Sequence, residues 1–188
     1  EESLIIPTTA FAQDMHSLYN LIQKEQNWLE SSTDHVILLL DRNRRHIIKA
    51  HKSVLSARCD YFKSKFQSGM TDQNANEIAM FFEEEADSDE DEIRLKTIFE
   101  FIEYLYTGMM NINSSNAISM LNIWNFYSMP PDDSIPTYCQ RLIMKEVNED
   151  NILDMVVTFL KSEVQYPMLH EFYIRTITKH WPHLHKKH

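Results

Sequence analysis

One stretch of the chain, residues 45–66, restricts the possible folds more than any other. It reads RHIIKAHKSVLSARCDYFKSKF and contains no glycine. The β-branched pair Ile47 and Ile48 predicts a strand. Ser53 is a favourable N-cap for a first short helix, and Asp60 for a second. A strand followed directly by two short helices is typical of a compact structural core, and it does not resemble a ligand-binding loop.

Two elements are predicted before this stretch. Residues 10–27 form a predicted helix whose apolar residues recur at helical spacing and make one row. These residues are Phe11, Met15, Leu18 and Ile22. Such a row must pack on the domain or on a partner chain. Residues 35–40 (HVILLL) predict a strand covered on both faces, and the DRNR segment after it suits a hairpin connection.

Further elements are predicted after the core stretch. They are a strand at 77–82, an acidic loop at 83–92, an amphipathic helix from about 95 to 106 that ends at Gly108, a short strand at 109–113, and two helices separated by Pro130 and Pro131. Ser114 or Ser115 is the predicted N-cap of the first of these two helices. Two more helices are predicted beyond residue 144, the first capped within residues 148–150 and the second beginning at Tyr166-Pro167.

Two motifs give the chain a family resemblance. The segment AHKSVLSARCDYFKSKFQSGM, with FIEYLYTG at residues 101–108, resembles the signature of the BTB/POZ domain, whose members usually read close to AH+xVLAARSxYFxxMF. The resemblance covers roughly residues 34–144. It implies an α+β, mostly helical fold, in which a small β-sheet is flanked by a cluster of helices, with an N-terminal helix and a C-terminal helix pair.

The resemblance also suggests how the chain is divided. Residues 1–33 would be an N-terminal linker and dimerisation helix, residues 34–144 the BTB/POZ domain, and residues 145–188 a helical extension. This extension resembles the 3-box, the beginning of a BACK domain. The alternative is that the last helix pair only completes the core. Because the chain begins with Glu1, we expect it to be part of a longer protein.

Composition excludes several classes of partner. The formal net charge is -10, and the run EEEADSDEDE supplies most of the excess. An acidic chain argues against nucleic-acid binding, which needs Lys and Arg at the phosphates. No apolar run approaches the ~18 residues of a membrane span. The two cysteines, Cys59 and Cys139, fit a reducing compartment better than a disulfide framework, so we expect a cytoplasmic or nuclear protein.

No catalytic constellation is present in the sequence. There is no GxSxG, no HExxH and no phosphate-binding glycine loop. We therefore expect no enzyme, no cofactor and no small-molecule substrate. Cys59 is predicted to be a buried structural thiol and not a nucleophile. The terminal histidines have spacings that a metal could use, but no thiolate accompanies them, so we expect no metal site. They are His180, His183, His185 and His188.

Two classes of interaction module remain. By resemblance, the first is an adaptor that recruits a cullin-3 ubiquitin ligase scaffold. The second is a domain that dimerises and binds co-regulators in a transcription regulator or other scaffold, without a cullin. The 3-box-like helix pair favours the first class. The segment MMNINSSN after Gly108 counts against it, because it lacks the hydrophobic-x-acid motif of many cullin-binding members.

Candidate contact residues follow from both classes. Dimerisation would use the apolar row of the first helix, since swapped N-terminal helices are the family's usual interface. The resemblance also pairs Asp34 with Lys52 in a charged pocket between protomers. The candidate cullin contacts are Met70, Met109, Ile112 and Phe159. Met and Ile at such positions are core residues about as often as surface contacts.

The acidic loop suggests a modification site. Ser88 is followed by Asp89, Glu90, Asp91 and Glu92, the arrangement that an acidophilic casein-kinase-type enzyme prefers. Phosphorylation would add ~1.5 to 2 negative charges. We expect these to keep the loop extended and to attract a basic partner surface in a salt-dependent way. The alternative is that the loop is only a solvated spacer.

Overall fold

The computed structural model describes residues 10–28, 32–40, 44–67, 76–80, 89–130, 134–148, 150–161 and 166–184. Within these residues the chain forms eight helices and three strands. In chain order they are α1 (Ala10–Lys24), β1 (His35–Leu39), β2 (Ile47–His51), α2 (Lys52–Arg58), α3 (Asp60–Gln67), β3 (Glu77–Ala79), α4 (Asp89–Thr107), α5 (Ala117–Phe126), α6 (Ser134–Glu146), α7 (Ile152–Lys161) and α8 (Pro167–Leu184). A small sheet among many helices confirms the predicted α+β, mostly helical fold.

The three strands form one sheet in the order β2-β1-β3. β1 pairs antiparallel with β2 and parallel with β3. Val36 and Leu38 of β1 are completely buried, whereas Ile37 and Leu39 are half-buried. The first strand was predicted to be covered on both faces. Only one face is fully covered, because the side chains of a strand alternate between the core and a more open side.

The helices after the sheet enclose an aromatic core. The ring of Phe62 in α3 stacks on Tyr127 with ring centroids 5.4 Å apart, and Tyr127 stacks on Phe101 of α4 at 5.0 Å. Trp124 of α5 meets the edge of Phe101. The Cys59 thiol donates to the Tyr127 carbonyl oxygen at 3.4 Å. Residues 45–66 therefore reach α4 and α5 through their aromatic and thiol side chains.

Several predicted helix ends are confirmed. Gly108 has φ +70, and its N–H donates to the Tyr104 carbonyl oxygen at 2.8 Å, which ends α4 in the left-handed conformation that glycine favours. Asn148 lies before α7, where its side-chain oxygen accepts the N–H groups of Asp150 at 3.0 Å and Asn151 at 3.2 Å. α8 begins at Pro167.

The predicted caps of α2 and α3 are not the ones that form. α2 begins at Lys52 after His51, which makes no side-chain cap bond. Ser53 instead donates its N–H and its hydroxyl to the Asp34 carboxylate, at 2.9 and 2.6 Å. The group that satisfies this helix end thus comes from the residue just before β1, 19 positions earlier in the chain, so a local motif could not reveal it. Asp60 is the first residue of α3 and not its N-cap.

The connection between α4 and α5 also differs from its prediction. The described residues 109–113 contain no strand. A side-chain turn takes its place, because the Asn113 side-chain oxygen accepts the N–H of Ser115 at 3.0 Å and its hydroxyl at 2.6 Å. Neither of the two predicted serines caps α5, whose N-cap position is Asn116.

The acidic run is partly helical. α4 begins at Asp89, so residues 89–92 belong to a helix and not to the predicted loop. Negative charges are favourable in the first turn of a helix, because they are attracted to the positive end of the helix dipole. Ser88, the predicted phosphorylation site, and Met70, a predicted cullin contact, lie outside the described residues.

Gln140 of α6 is buried, and its side-chain amide is only half satisfied. Its Nε2 donates to the Pro136 carbonyl oxygen at 3.2 Å, whereas Oε1 has no partner among the described residues. A buried acceptor left unpaired costs roughly 1–3 kcal/mol. We expect Gln140→Met to raise the free energy of unfolding by about 1 kcal/mol, because the thioether fills the space without needing a hydrogen bond. Urea denaturation measures this, with the exposed Gln67→Met as control. A lower unfolding energy for Gln140→Met would contradict the expectation.

Candidate interaction surfaces

One side of α1 packs on its own domain. The residues buried on this side are Ala12, Tyr19 and Ile22. Polar contacts also attach this side of α1 to the domain. The Gln23 side chain donates to the Lys49 carbonyl oxygen at 2.8 Å and accepts the Lys49 N–H at 3.0 Å, so it pairs with β2 as a neighbouring strand would. His16 Nδ1 lies 2.6 Å from Glu103 Oε1 of α4. α1 is therefore docked onto β2 and α4 of the same chain.

The other side of α1 is apolar and exposed. Phe11 is 70% exposed, Leu21 68% and Leu18 39%. We call these three residues the α1 surface. The predicted row is divided between the two sides of the helix, because Met15 is half-buried against the core and Ile22 is buried there. Sequence reasoning missed Leu21, which follows Leu18 at a helical spacing of three and could have been found by widening the row.

Asp34 and Lys52 lie next to each other. The Lys52 N–H donates to the Asp34 carbonyl oxygen at 2.7 Å, where β1 and α2 meet. The Asp34 carboxylate is bound by Ser53, so it serves this chain as a helix cap. A role for the two side chains in a charged pocket between protomers stays a prediction.

The residues after Gly108 differ in how far they are accessible to a partner. Ile112 has no exposed area and belongs to the core, so in this structure its side chain offers no surface for the predicted cullin contact. Asn116 holds this connection inward, because its side-chain amide donates to the Asn111 carbonyl oxygen and to Glu100 Oε2, both at 2.9 Å. Burial raises the pKa of Glu100 above its usual value. Met109 is half-buried.

The last two helices pack on α5 and α6 around a small apolar pocket. Its lining residues are Ile118, Leu121, Asn122, Ile143, Met155, Phe159, Tyr166, Leu169 and Tyr173. We call it the α5–α8 pocket. Its volume is ≈ 20 Å³, which leaves room for a single small group. Phe159, a predicted cullin contact, is half-buried, and the exposed Asn122 is the polar member of the lining.

A hydrogen bond joins the extension to α5 beside this pocket. The Tyr166 hydroxyl donates to the Leu121 carbonyl oxygen at 2.9 Å. Burial raises the pKa of Tyr166 to about 12, so the hydroxyl keeps its proton at neutral pH. The extension is thus attached to the preceding helices through a polar contact as well as through its apolar side chains.

Other exposed apolar side chains were missed from the sequence. Phe126 at the end of α5 is 57% exposed, and its ring centroid lies 5.8 Å from that of Tyr61 in α3. Leu160, Ile174 and Trp181 are exposed on α7 and α8. Single exposed apolar residues are normal on protein surfaces, so exposure alone assigns none of them a partner.

The described residues contain no group of three side chains suited to a metal ion. Of the four terminal histidines, only the side chain of His180 is described. Both cysteines are buried and free. Burial raises the pKa of Cys59 above its usual value and that of Cys139 to about 12, so neither thiol is activated as a nucleophile. None of the described helices has the length and apolar character needed to cross a membrane.

The sequence profile of the BTB/POZ domain matches residues 23–140, more than half of the chain. Kelch repeat and BTB domain-containing protein 12 of Homo sapiens is 25% identical over 138 residues, which are 73% of this chain and 20% of that protein. Kelch-like protein 7 of Homo sapiens is 26% identical over 121 residues, 64% of this chain and 18% of that protein.

Two further similarities extend the comparison. The leucine-zipper-like transcriptional regulator 1 homolog of Drosophila melanogaster is 27% identical over 108 residues, 57% of this chain and 10% of that protein. The chain thus spans between a tenth and a fifth of the length of these curated relatives. The solved BTB domain of zebrafish PATZ1 is 20% identical, with a TM-score of 0.44, and the match covers 75% of this chain and 99% of that one.

Proposed function

The chain belongs to the BTB/POZ family, and from this premise we propose that it is a homodimeric adaptor that recruits a cullin-3-type ubiquitin ligase scaffold. The BTB/POZ domain is a protein–protein interaction module and not a catalytic one. In the proposed adaptor, the α1 surface would join two copies. The α5–α8 pocket would receive the scaffold, and regions outside residues 1–188 would select the substrate.

The observation that carries the proposal is the α5–α8 pocket. A small apolar space between the extension and α5 is a feature that a partner can use. Here Phe159 and Tyr173, with ring centroids 5.2 Å apart, face Ile118 and Leu121 across a small opening. The tip of one apolar side chain of a partner, such as a methyl group, can enter such a space, and a pocket filled at the centre of an interface is typical of a binding hot spot.

Blocking this pocket tests the proposal. Asn122 is exposed, so Asn122→Arg should fill the pocket mouth without disturbing the fold. We expect the variant to bind the N-terminal region of cullin-3 about tenfold more weakly or worse, because a charged side chain would occupy the apolar site. Isothermal titration calorimetry measures the affinity. Thr178→Arg, on an exposed position of α8 that does not line the pocket, is the control and should bind like the wild type.

The same measurement separates the two function classes. A wild-type chain that dimerises but does not bind the cullin fragment would contradict the adaptor. It would favour the alternative, a dimerising and co-regulator-binding domain of a transcription regulator or other scaffold. Equal binding by Asn122→Arg and wild type would retain the adaptor but exclude the pocket as its docking site.

A further inference from the structure

A cluster of four rings connects the N-terminal segment to the sheet and to α4. We call Trp28, His35, His51 and Tyr106 the histidine cluster. The Trp28 indole is buried and stacks on the His35 imidazole with ring centroids 3.5 Å apart and planes 6° apart. His51 meets both rings edge-on, at 5.0 and 5.2 Å. His51 also lies beside Tyr106.

Trp28 is attached to β1 at two points. Its indole Nε1 donates to the Val36 carbonyl oxygen at 3.2 Å, and its own carbonyl oxygen lies 2.5 Å from His35 Nδ1. A carbonyl oxygen only accepts, so His35 carries a proton on Nδ1. Trp28 follows the end of α1 by four residues, and Tyr106 packs on Tyr19 of α1 at 5.2 Å. The histidine cluster therefore contacts both α1 itself and the segment that ends it.

The hydrogen bonds around His51 favour its neutral form. The Tyr106 hydroxyl accepts the His51 backbone N–H at 2.7 Å and lies 3.0 Å from His51 Nδ1. The hydroxyl proton can bond to Nδ1 only if Nδ1 is unprotonated. A proton on Nδ1 would direct two N–H donors at one oxygen and would deprive the tyrosine hydroxyl of its acceptor. Trp28 and His35 meet the His51 ring through edge contacts only.

We propose that the histidine cluster is a proton-sensitive attachment that releases α1 from its own domain when His51 becomes protonated. Such a device goes beyond the proposed adaptor function and does not depend on it. Because the α1 surface is carried by the same helix, acidification would change the position of the apolar residues that are offered to a partner.

The groups around His51 have opposite effects on its pKa. Burial, and after it the neighbouring His35, lowers the pKa of His51, whereas Asp34, just before β1, and Glu25, just after α1, raise it, with a net lowering. The released state restores the usual value, near 6.5. His51 therefore binds a proton more tightly in the released state than in the attached state. The attached state keeps its stability above about pH 6.5 and loses stability as the pH falls below about 6.5. Lys49 and Lys52 are the cationic neighbours along the chain.

Hydrogen exchange of the whole chain between pH 7.5 and pH 5.0, corrected for intrinsic rates, tests the proposal. We expect opening of the α1 amides to increase as the pH falls, by at most about tenfold per pH unit for each proton bound. The α5 amides should change little. His51→Gln keeps an acceptor for the Tyr106 hydroxyl but cannot titrate in this range, so its α1 opening should be independent of pH. His170→Gln, at an exposed position on α8, is the control and should behave like the wild type.

Two further measurements keep the proposal testable if His51→Gln fails to fold. In wild-type protein, the NMR titration of the His51 ring should share its midpoint with the shifts of the α1 amides. The exchange experiment is also repeated with Leu18→Asp/Leu21→Asp, which removes the α1 surface. A response that persists there supports the proposal, whereas a response lost there would assign it to dimer dissociation. Unchanged α1 protection at pH 5.0, or an unaltered pH dependence in His51→Gln, would overturn the proposal.

Discussion

Replacing Ile112 with Asp is expected to destabilise the domain severely. Ile112 has no exposed area and belongs to the main core, in a connection held inward by Asn116. An aspartate there would bury a charge without a partner and leave part of the isoleucine volume empty. We expect the free energy of unfolding to fall by about 4 kcal/mol or more. A typical domain has a total of roughly 5–15 kcal/mol. Circular dichroism with thermal and urea unfolding measures the change.

Two variants calibrate this result. Ile112→Val keeps the site apolar and should cost only about 0.5–1.5 kcal/mol. Met109→Asp places the same charge three residues earlier, at a half-buried position, and should leave the domain folded. An Ile112→Asp protein with a wild-type thermal transition and no cullin binding would support the surface role predicted from the sequence and would contradict the burial seen here.

Replacing Leu18 and Leu21 with Asp is expected to convert the proposed homodimer into a monomer. Both side chains are exposed on α1, on the side that its own domain leaves uncovered. Full burial of a leucine contributes about 1.5–3 kcal/mol, so losing two such contacts should weaken the dimer by about 3 kcal/mol, roughly a hundredfold in Kd. Sedimentation equilibrium and light scattering over a concentration series measure the change.

The choice of positions determines what this experiment means. Met15→Asp would disturb the docking of α1 as well as any dimer, because Met15 is half-buried against the core. Ile174→Asp on α8 adds the same charge at an exposed apolar position away from α1, and it should leave the dimer unchanged. If the Leu18→Asp/Leu21→Asp protein remains dimeric with wild-type Kd, the α1 surface is not the interface.

The sequence by itself determined most of the segments that become strands and helices, and where several of them end, although it wrongly predicted a strand at 109–113 and a loop at 89–92. The helical spacing of apolar residues in α1, α4 and α6–α8 shows which stretches bury one side. Gly108 stops α4 because the backbone there is left-handed, a conformation that glycine adopts readily since it has no Cβ. Asn148 and Pro167 mark the starts of α7 and α8 for similarly local reasons. Such signals act within one or two turns of the chain, so they are legible without a tertiary structure.

The tertiary structure decided which partner each side chain meets. Asp34 binds Ser53, 19 residues away, and His16 contacts Glu103, 87 residues away. No local pattern encodes these pairs. The sequence predicts the apolar residues of α1. Which of them pack on the domain and which stay exposed depends on where β2 and α4 lie. Ile112 is buried for the same reason, because the surface or core role of an apolar residue depends on what the rest of the chain packs against it.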